Sequence, residues 1–126
     1  MKMCKILLSI RPEHARNIMN GVKKYEFRRT DCRRDVSHII IYSTYPIMKV
    51  IGEASVKRKL VCSPEDMWKR THAGAGVSRE FFDAYYEGCE KAVAFELESV
   101  KEFDRPRSLE EYGARQAPQS SMYMTN

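Results

Sequence analysis

Hydrophobic positions along the chain fall into runs and periods that mark its elements one after another. Cys4–Ile10 is a short, mostly apolar run and reads as a buried strand, as does the β-branched stretch His38–Ser43, which Thr44, Tyr45 and Pro46 close. Lys24–Arg28 alternates instead: Tyr25 and Phe27 fall on one side of an extended chain, and Lys24, Glu26 and Arg28 on the other. Lys49–Leu60 reads as a longer strand, with Gly52 marking a bulge or a close approach. Ala92–Val100 sets Ala92, Ala94, Glu96 and Glu98 against Val93, Phe95 and Leu97, the period of a half-buried strand. The closing segment Pro118–Tyr123 is irregular or a short last strand.

Between the strands the period lengthens to that of a helix. Pro12 stands in a first turn, where its missing N–H costs nothing, and Glu13 places a carboxylate at the positive end of the dipole. Ala15, Ile18 and Met19 follow at helical spacing, and Gly21 supplies a left-handed stop. Ser63-Pro64-Glu65-Asp66 combines a capping hydroxyl, a first-position proline and first-turn acids; the helix it starts carries Met67 and Trp68 and ends near Thr71. Ser78 caps a further helix, Arg79–Glu87. Its Phe81, Phe82, Tyr85 and Tyr86 cover a wide, mostly buried arc that leaves a tyrosine at the surface, and Gly88 ends it. Arg105-Pro106-Arg107 reads as a turn before a short capped helix, Ser108–Gly113. The basic stretch 30–37 and the small residues Ala73–Gly76 read as loops, the second a flexible one.

About five or six strands with short helices between them describe an α+β domain that closes as a small barrel, because closure removes exposed edges. With no linker, repeat or low-complexity segment in 126 residues, a single domain spanning 1–126 is expected.

Composition changes the picture mainly through charge. No apolar run approaches the roughly 18 residues of a membrane span, and Ile6-Leu7-Leu8 is too short for a signal-peptide core. A cytoplasmic protein without a membrane partner is therefore expected. Cys4, Cys32, Cys62 and Cys89 lie 27 to 30 residues apart, without a C-x-x-C or paired-histidine spacing. Reduced thiols follow, and neither a metal nor a cofactor is expected. Residues 1–60 hold 14 Lys and Arg against 5 Asp and Glu, whereas residues 61–126 hold 8 against 12. Such asymmetry suits a basic face for a polyanion, or basic and acidic segments that neutralise each other once folded.

The candidate chemistry concentrates in Gly21–Arg29. Glu26 and Arg28 share a strand face, and Lys23 lies just before the strand. In a partly dry cleft the lysine's pKa would fall beside Arg28 while Glu26 restored it, and that balance sets whether the amine acts as a base. On a solvated edge the same groups would form an ion-pair network worth under about 1 kcal/mol. Ser43 and Thr44 can donate to a base edge or phosphate, or form a hydroxyl turn before Pro46. Gln119 and Ser120 can read a base beside a barrel mouth, or fray; Arg11 can reach a phosphate, or stay solvated. Trp68 can stack a base, though packing is the simpler role. His14, His38 and His72 stand on different elements without a ligand pattern, and Gly74 and Gly76 lack the lysine and helix of a P-loop.

Three features together resemble the ASCH family, a branch of the PUA-like β-barrel superfamily. They are the opening Ser9-Ile10-Arg11-Pro12-Glu13, the signature G-x-K-x-x-E-x-R filled by Gly21, Lys23, Glu26 and Arg28, and Tyr42-Ser43-Thr44-Tyr45-Pro46 ending a strand. The helix Phe81–Tyr86 and the closing Pro118-Gln119-Ser120 also look like the family, so the resemblance covers residues 4 to 123. It implies a small barrel with a cleft lined by the signature, binding RNA or a nucleoside-like ligand. Phosphate contacts would then come from Lys23, Arg28, Arg29, Arg33 and Arg34, with Arg11 and Ser120 nearby, and selectivity from Glu26, Ser43, Thr44 and Gln119. Some members are enzymes. One bacterial branch looks like an amidohydrolase on N4-acetylcytidine that uses the signature lysine with a threonine and a glutamate; here Lys23 matches the lysine, but Glu26 stands where the threonine would. Other members are reported as ribonucleases, or act within transcription coactivators. The resemblance thus implies an RNA- or modified-nucleoside-binding domain. The alternatives are a small hydrolase with Lys23 and Glu26 as its catalytic pair, and a protein-interaction domain in a regulatory complex.

Overall fold

Burial on both faces marks the two apolar runs of the strand pattern as inner strands of the sheet. A computed structural model describes residues 4–32 and 34–124. Its strands are β1 (Cys4–Ile10), β2 (Tyr25–Arg28), β3 (Val36–Ser43), β4 (Lys49–Cys62), β5 (Ala92–Arg107) and β6 (Ser121–Tyr123). They form one sheet in the order β2-β5-β4-β3-β1-β6. The apolar runs β1 and β3 lie side by side and parallel, and every other pairing is antiparallel. In β1, Ile6, Leu8 and Ile10 enter one apolar cluster while Leu7 enters another, so consecutive residues feed opposite faces.

The sheet curls into a half-barrel. Three register irregularities interrupt the long β4–β5 pair, and each adds local twist. Gly52 sits at one of them: a Cβ there would meet the Lys101 carbonyl oxygen at 2.4 Å and Met19 Cε at 2.5 Å. The sheet's two ends, β2 and β6, do not pair with each other.

Three short helices cover the sheet. In α1 (Pro12–Met19), Ala15 and Ile18 pack into the cluster of Ile6, Leu8 and Ile10. α2 (Pro64–Thr71) is capped by Ser63 Oγ, which accepts from the Asp66 N–H at 3.2 Å. α3 (Arg79–Tyr85) is capped by Ser78 Oγ, which accepts from the Phe81 N–H at 3.1 Å. Met67 and Phe82 carry these two helices onto Phe27, Ala92 and Ala94 in a second cluster.

Several local expectations are overturned. β5 continues through Arg105-Pro106-Arg107, where a turn is predicted, but bulges there: Glu102 faces Gly52 and Arg107 faces Val50, so four residues of β5 stand against one of β4. Proline is tolerated because it falls within that bulge, on a half of β5 that β2, pairing only with Val93–Glu96, leaves as an open edge. Ala92–Phe95 is buried on both faces instead of one, since this stretch lies between β2 and β4 with an apolar cluster on each side. In place of the flexible loop over Ala73–Gly76, His72–Gly74 forms a 3₁₀ turn, and Gly74 and the following Ala75 are buried. On α3 the aromatic left at the surface is Phe81, 42% exposed, whereas Tyr86 is buried.

Candidate functional site

The site is built outward from β2. Its apolar face packs Phe27 edge-on against Phe82 and Tyr86, with ring centres 5.3 and 6.3 Å apart. Two tyrosines then fix its backbone. The Tyr85 hydroxyl donates to the Phe27 carbonyl at 3.1 Å, and the Tyr86 hydroxyl lies 3.0 Å from the carbonyls of both Arg28 and Val93. Burial pushes the Tyr86 hydroxyl far above its ordinary range, so it stays a donor. These anchors orient Glu26 and Arg28 toward a cleft of about 480 Å³.

Lys23, Glu26 and Arg28 form a charged row along its wall. Lys23 and Glu26 are 4% and 6% exposed, so this is not a solvated edge. The Lys23 ammonium donates to the Ala75 carbonyl at 3.0 Å and lies 4.7 Å from the Phe27 ring centre. Burial lowers its pKa, and Glu26 opposes that shift. Glu26 mirrors it: burial raises its pKa, while Lys23 and Arg28 pull it back. Arg28 donates from Nη1 to Glu26 Oε2 at 3.1 Å and from Nη2 to Ser120 Oγ. One carboxylate therefore serves two cations, and the row is held in a dry wall where charge acts strongly.

The remaining lining comes from other elements. Ser9, Ile10 and Arg11 arrive at the end of β1, and His14 on the first turn of α1. α3 contributes Phe81 and Tyr85, whose rings stack at 6.4 Å. Arg29 lines the same cleft but is partly committed: its Nε donates to the Tyr85 carbonyl at 2.8 Å and its guanidinium lies over the Tyr85 ring. Arg11 is exposed and makes no ion pair among the described residues.

Other sequence candidates fall elsewhere. Ser43 and Thr44 do not line the cleft. Ser43 is buried in the register Ile10↔Ser43↔Lys49, and the Thr44 N–H donates to the Ile10 carbonyl, so the backbone of both helps join β3 to β1. Gln119 is exposed and outside the lining, whereas its neighbour Ser120 touches the site through Arg28. The tail reaches that position because Ser9 Oγ donates to the Pro118 carbonyl at 2.6 Å and the Ser9 N–H to the Ser120 carbonyl. Lys24 does not join the Glu26 face; it is exposed, with its backbone bonded to Gly74 and Leu97. Arg34 lies over the Tyr123 ring, and Arg33 falls outside the described residues. In the basic cluster 57–59, Arg58 pairs with Glu96 and Lys59 with Asp31. Trp68 packs on Phe82 and lies outside the lining. Among the described residues, no group of three His, Cys, Asp or Glu is placed to hold a metal ion. Among the same residues, no helix is long and apolar enough to cross a membrane.

Sequence reasoning missed three parts of the site. The Ala75 carbonyl holds Lys23, and Gly76 presses on it: a Cβ at Gly76, where φ is +69°, would stand 2.6 Å from Lys23 Cβ. His14 and Phe81 also line the cleft. Only Gly76 carried a usable signal, as a glycine in a run otherwise read as slack.

No family model matches the chain. The ASCH domain-containing ribonuclease of Zymomonas mobilis is 35% identical over 106 residues, which is 83% of this chain and 71% of that protein. The crystal structure of ASCH from Zymomonas mobilis matches with a TM-score of 0.88 at 32% identity, over 97% of this chain and 88% of that one. Crystal structures of two single-residue variants of that protein match equally well. The N-terminal domain of Staphylothermus marinus McrB shares the fold alone, with a TM-score of 0.51 at 12% identity. The large ribosomal subunit proteins uL22 of two Ureaplasma parvum strains are 27% identical over 120 residues, and the chain spans about two fifths (39%) of their length.

Proposed function

The chain belongs to the ASCH family, and from that premise we propose that it binds RNA through the cleft of Lys23, Glu26 and Arg28, which receives one unstacked nucleoside at a time. The carrying observation is a cleft of about 480 Å³ with a buried amine and carboxylate, a half-buried guanidinium beside them and exposed aromatic surface in one lining. Charged groups meet the phosphates, and here Arg11, Arg28 and Arg29 are the candidates; hydrogen-bonding and stacking groups read the base. Glu26 is the polar reader. A carboxylate accepts from exocyclic amino and ring N–H groups of a base, and it is already dehydrated. Ser120 holds Arg28 in place.

Arg28→Ala tests this reading. Its loss should weaken binding of a single-stranded oligoribonucleotide and reduce the slope of log affinity against log salt by about 0.7, one phosphate contact on a single strand. Unchanged affinity and slope would remove Arg28 from the contact.

A second reading is RNA cleavage. It is favoured by the relative named a ribonuclease and by the opposite pKa shifts of Lys23 and Glu26, which bring an amine and a carboxyl toward each other in acidity. Lys23 would serve as base and Glu26 as acid. Incubating the protein with single-stranded RNA and with N4-acetylcytidine, beside Lys23→Ala, separates the readings: product that disappears in the variant means catalysis, and binding without turnover means a module.

A further inference from the structure

We propose that His14 is the residue with which the cleft recognises a neutral hydrogen-bonding group of the nucleoside, a ribose hydroxyl or a base edge. This rests on the RNA reading above and extends it to a residue that the signature does not contain. The imidazole lines the cleft, yet both ring nitrogens are closed to water and lack any hydrogen-bond partner. Among the described residues, no other buried side-chain nitrogen or oxygen is left in that state. Glu13 does not supply the bond, since its carboxylate stops 3.9 Å from Nε2.

An orphaned polar group costs stability that an apolar ring of similar shape would not. The site bears that cost at the wall of its cleft, where an incoming ligand can remove it. Burial, Lys23 and Arg11 favour the uncharged ring, with only Glu13 opposing them. A neutral imidazole donates at one nitrogen and accepts at the other, which suits a hydroxyl or an amide-like base edge. Phosphate is already provided for by the arginines of the same cleft. Phe81 is the neighbour that a ligand displaces: its ring centre lies 5.1 Å from that of His14, tilted by 57°, and the side chain is 42% exposed. Turned outward, that ring also offers a face on which the entering base can stack.

The experiment measures binding of a single-stranded oligoribonucleotide, its 2′-deoxy counterpart and a base-substituted oligoribonucleotide. Wild type, His14→Phe, His14→Gln and Arg28→Ala are compared, and Tm is recorded for each. His14→Phe should bind the oligoribonucleotide about tenfold more weakly or worse, a loss of about 1.4 kcal/mol, with an unchanged or higher Tm. His14→Gln keeps a donor and an acceptor and should recover part of the affinity. Collapse of the ribose preference in His14→Phe assigns the contact to the sugar, and collapse of the base preference assigns it to the base edge. Wild-type affinity and preferences in His14→Phe overturn the inference, and so does a Tm lowered by several degrees, which would make the ring a packing group. If Arg28→Ala weakens binding and His14→Phe does not, the inference falls and the RNA reading stands. Wild-type protein that binds none of the oligomers overturns both.

Discussion

Replacing Glu26 by glutamine removes the one carboxylate that offsets the charge of both Lys23 and Arg28. The amide keeps the shape, so the loss is electrostatic. Breaking one side of a buried, hydrogen-bonded pair costs about 3 to 5 kcal/mol. Here Lys23 can escape by giving up its proton, and that escape sets a ceiling. Its ordinary pKa of 10.5 lies about 3.5 pH units above neutrality, so at about 1.36 kcal/mol per unit the lysine's share of the loss is capped at about 5 kcal/mol at pH 7. At pH 9 the same ceiling is about 2 kcal/mol. The sign follows from linkage: a folded-state pKa below the unfolded one means the unfolded chain binds more protons, so stability rises with pH up to about the unfolded value. Arg28 suffers less, because it retains Ser120. Urea unfolding of Glu26→Gln against wild type should therefore show a loss of about 3 to 5 kcal/mol at pH 7 that shrinks to about 2 or less at pH 9. A loss below about 1 kcal/mol, or one equal at both pH values, would mean that the row is solvated and the reasoning is wrong.

Two further substitutions probe what holds the row in place. Gly76→Ala puts a Cβ 2.6 Å from Lys23 Cβ at a φ of +69°; it should cost about 2 kcal/mol or more and weaken RNA binding together with stability, as measured by denaturation and titration. Tyr86→Phe removes the hydroxyl shared by the Arg28 and Val93 carbonyls, with an expected loss of about 1 to 2 kcal/mol in the same unfolding assay; a neutral result would mean that α3 does not anchor β2.

Much of the fold was legible because β1 and β3 are apolar runs buried on both faces and the starts of α2 and α3 carry their own capping groups. Ser63 and Ser78 act as the sequence implies, and the tail does form a short last strand. The errors have a common cause in long-range context. Pro106 looked like a turn because proline cannot donate to a ladder, and only the bulge against β4 and the short reach of β2 let it stay within a strand. Ala73–Gly76 looked slack because small residues carry no period, yet their smallness is what lets the backbone close over Lys23. The spacing of Glu26 and Arg28 was readable from strand alternation. The burial of Lys23 was not, since it depends on a carbonyl 52 residues away. His14 had no legible signal, because an unpartnered histidine and a solvated one look alike in sequence.

The central claim, that RNA enters the cleft beside Lys23, Glu26 and Arg28, is tested most directly by following backbone amide resonances while a single-stranded oligoribonucleotide is titrated in. The account predicts that the largest shifts gather at Arg11–His14, Lys23–Arg29 and Phe81–Tyr85, the stretches that line one cavity from three elements. Shifts confined to Lys57–Lys59 or to Lys101–Arg107, with the cleft silent, would contradict it.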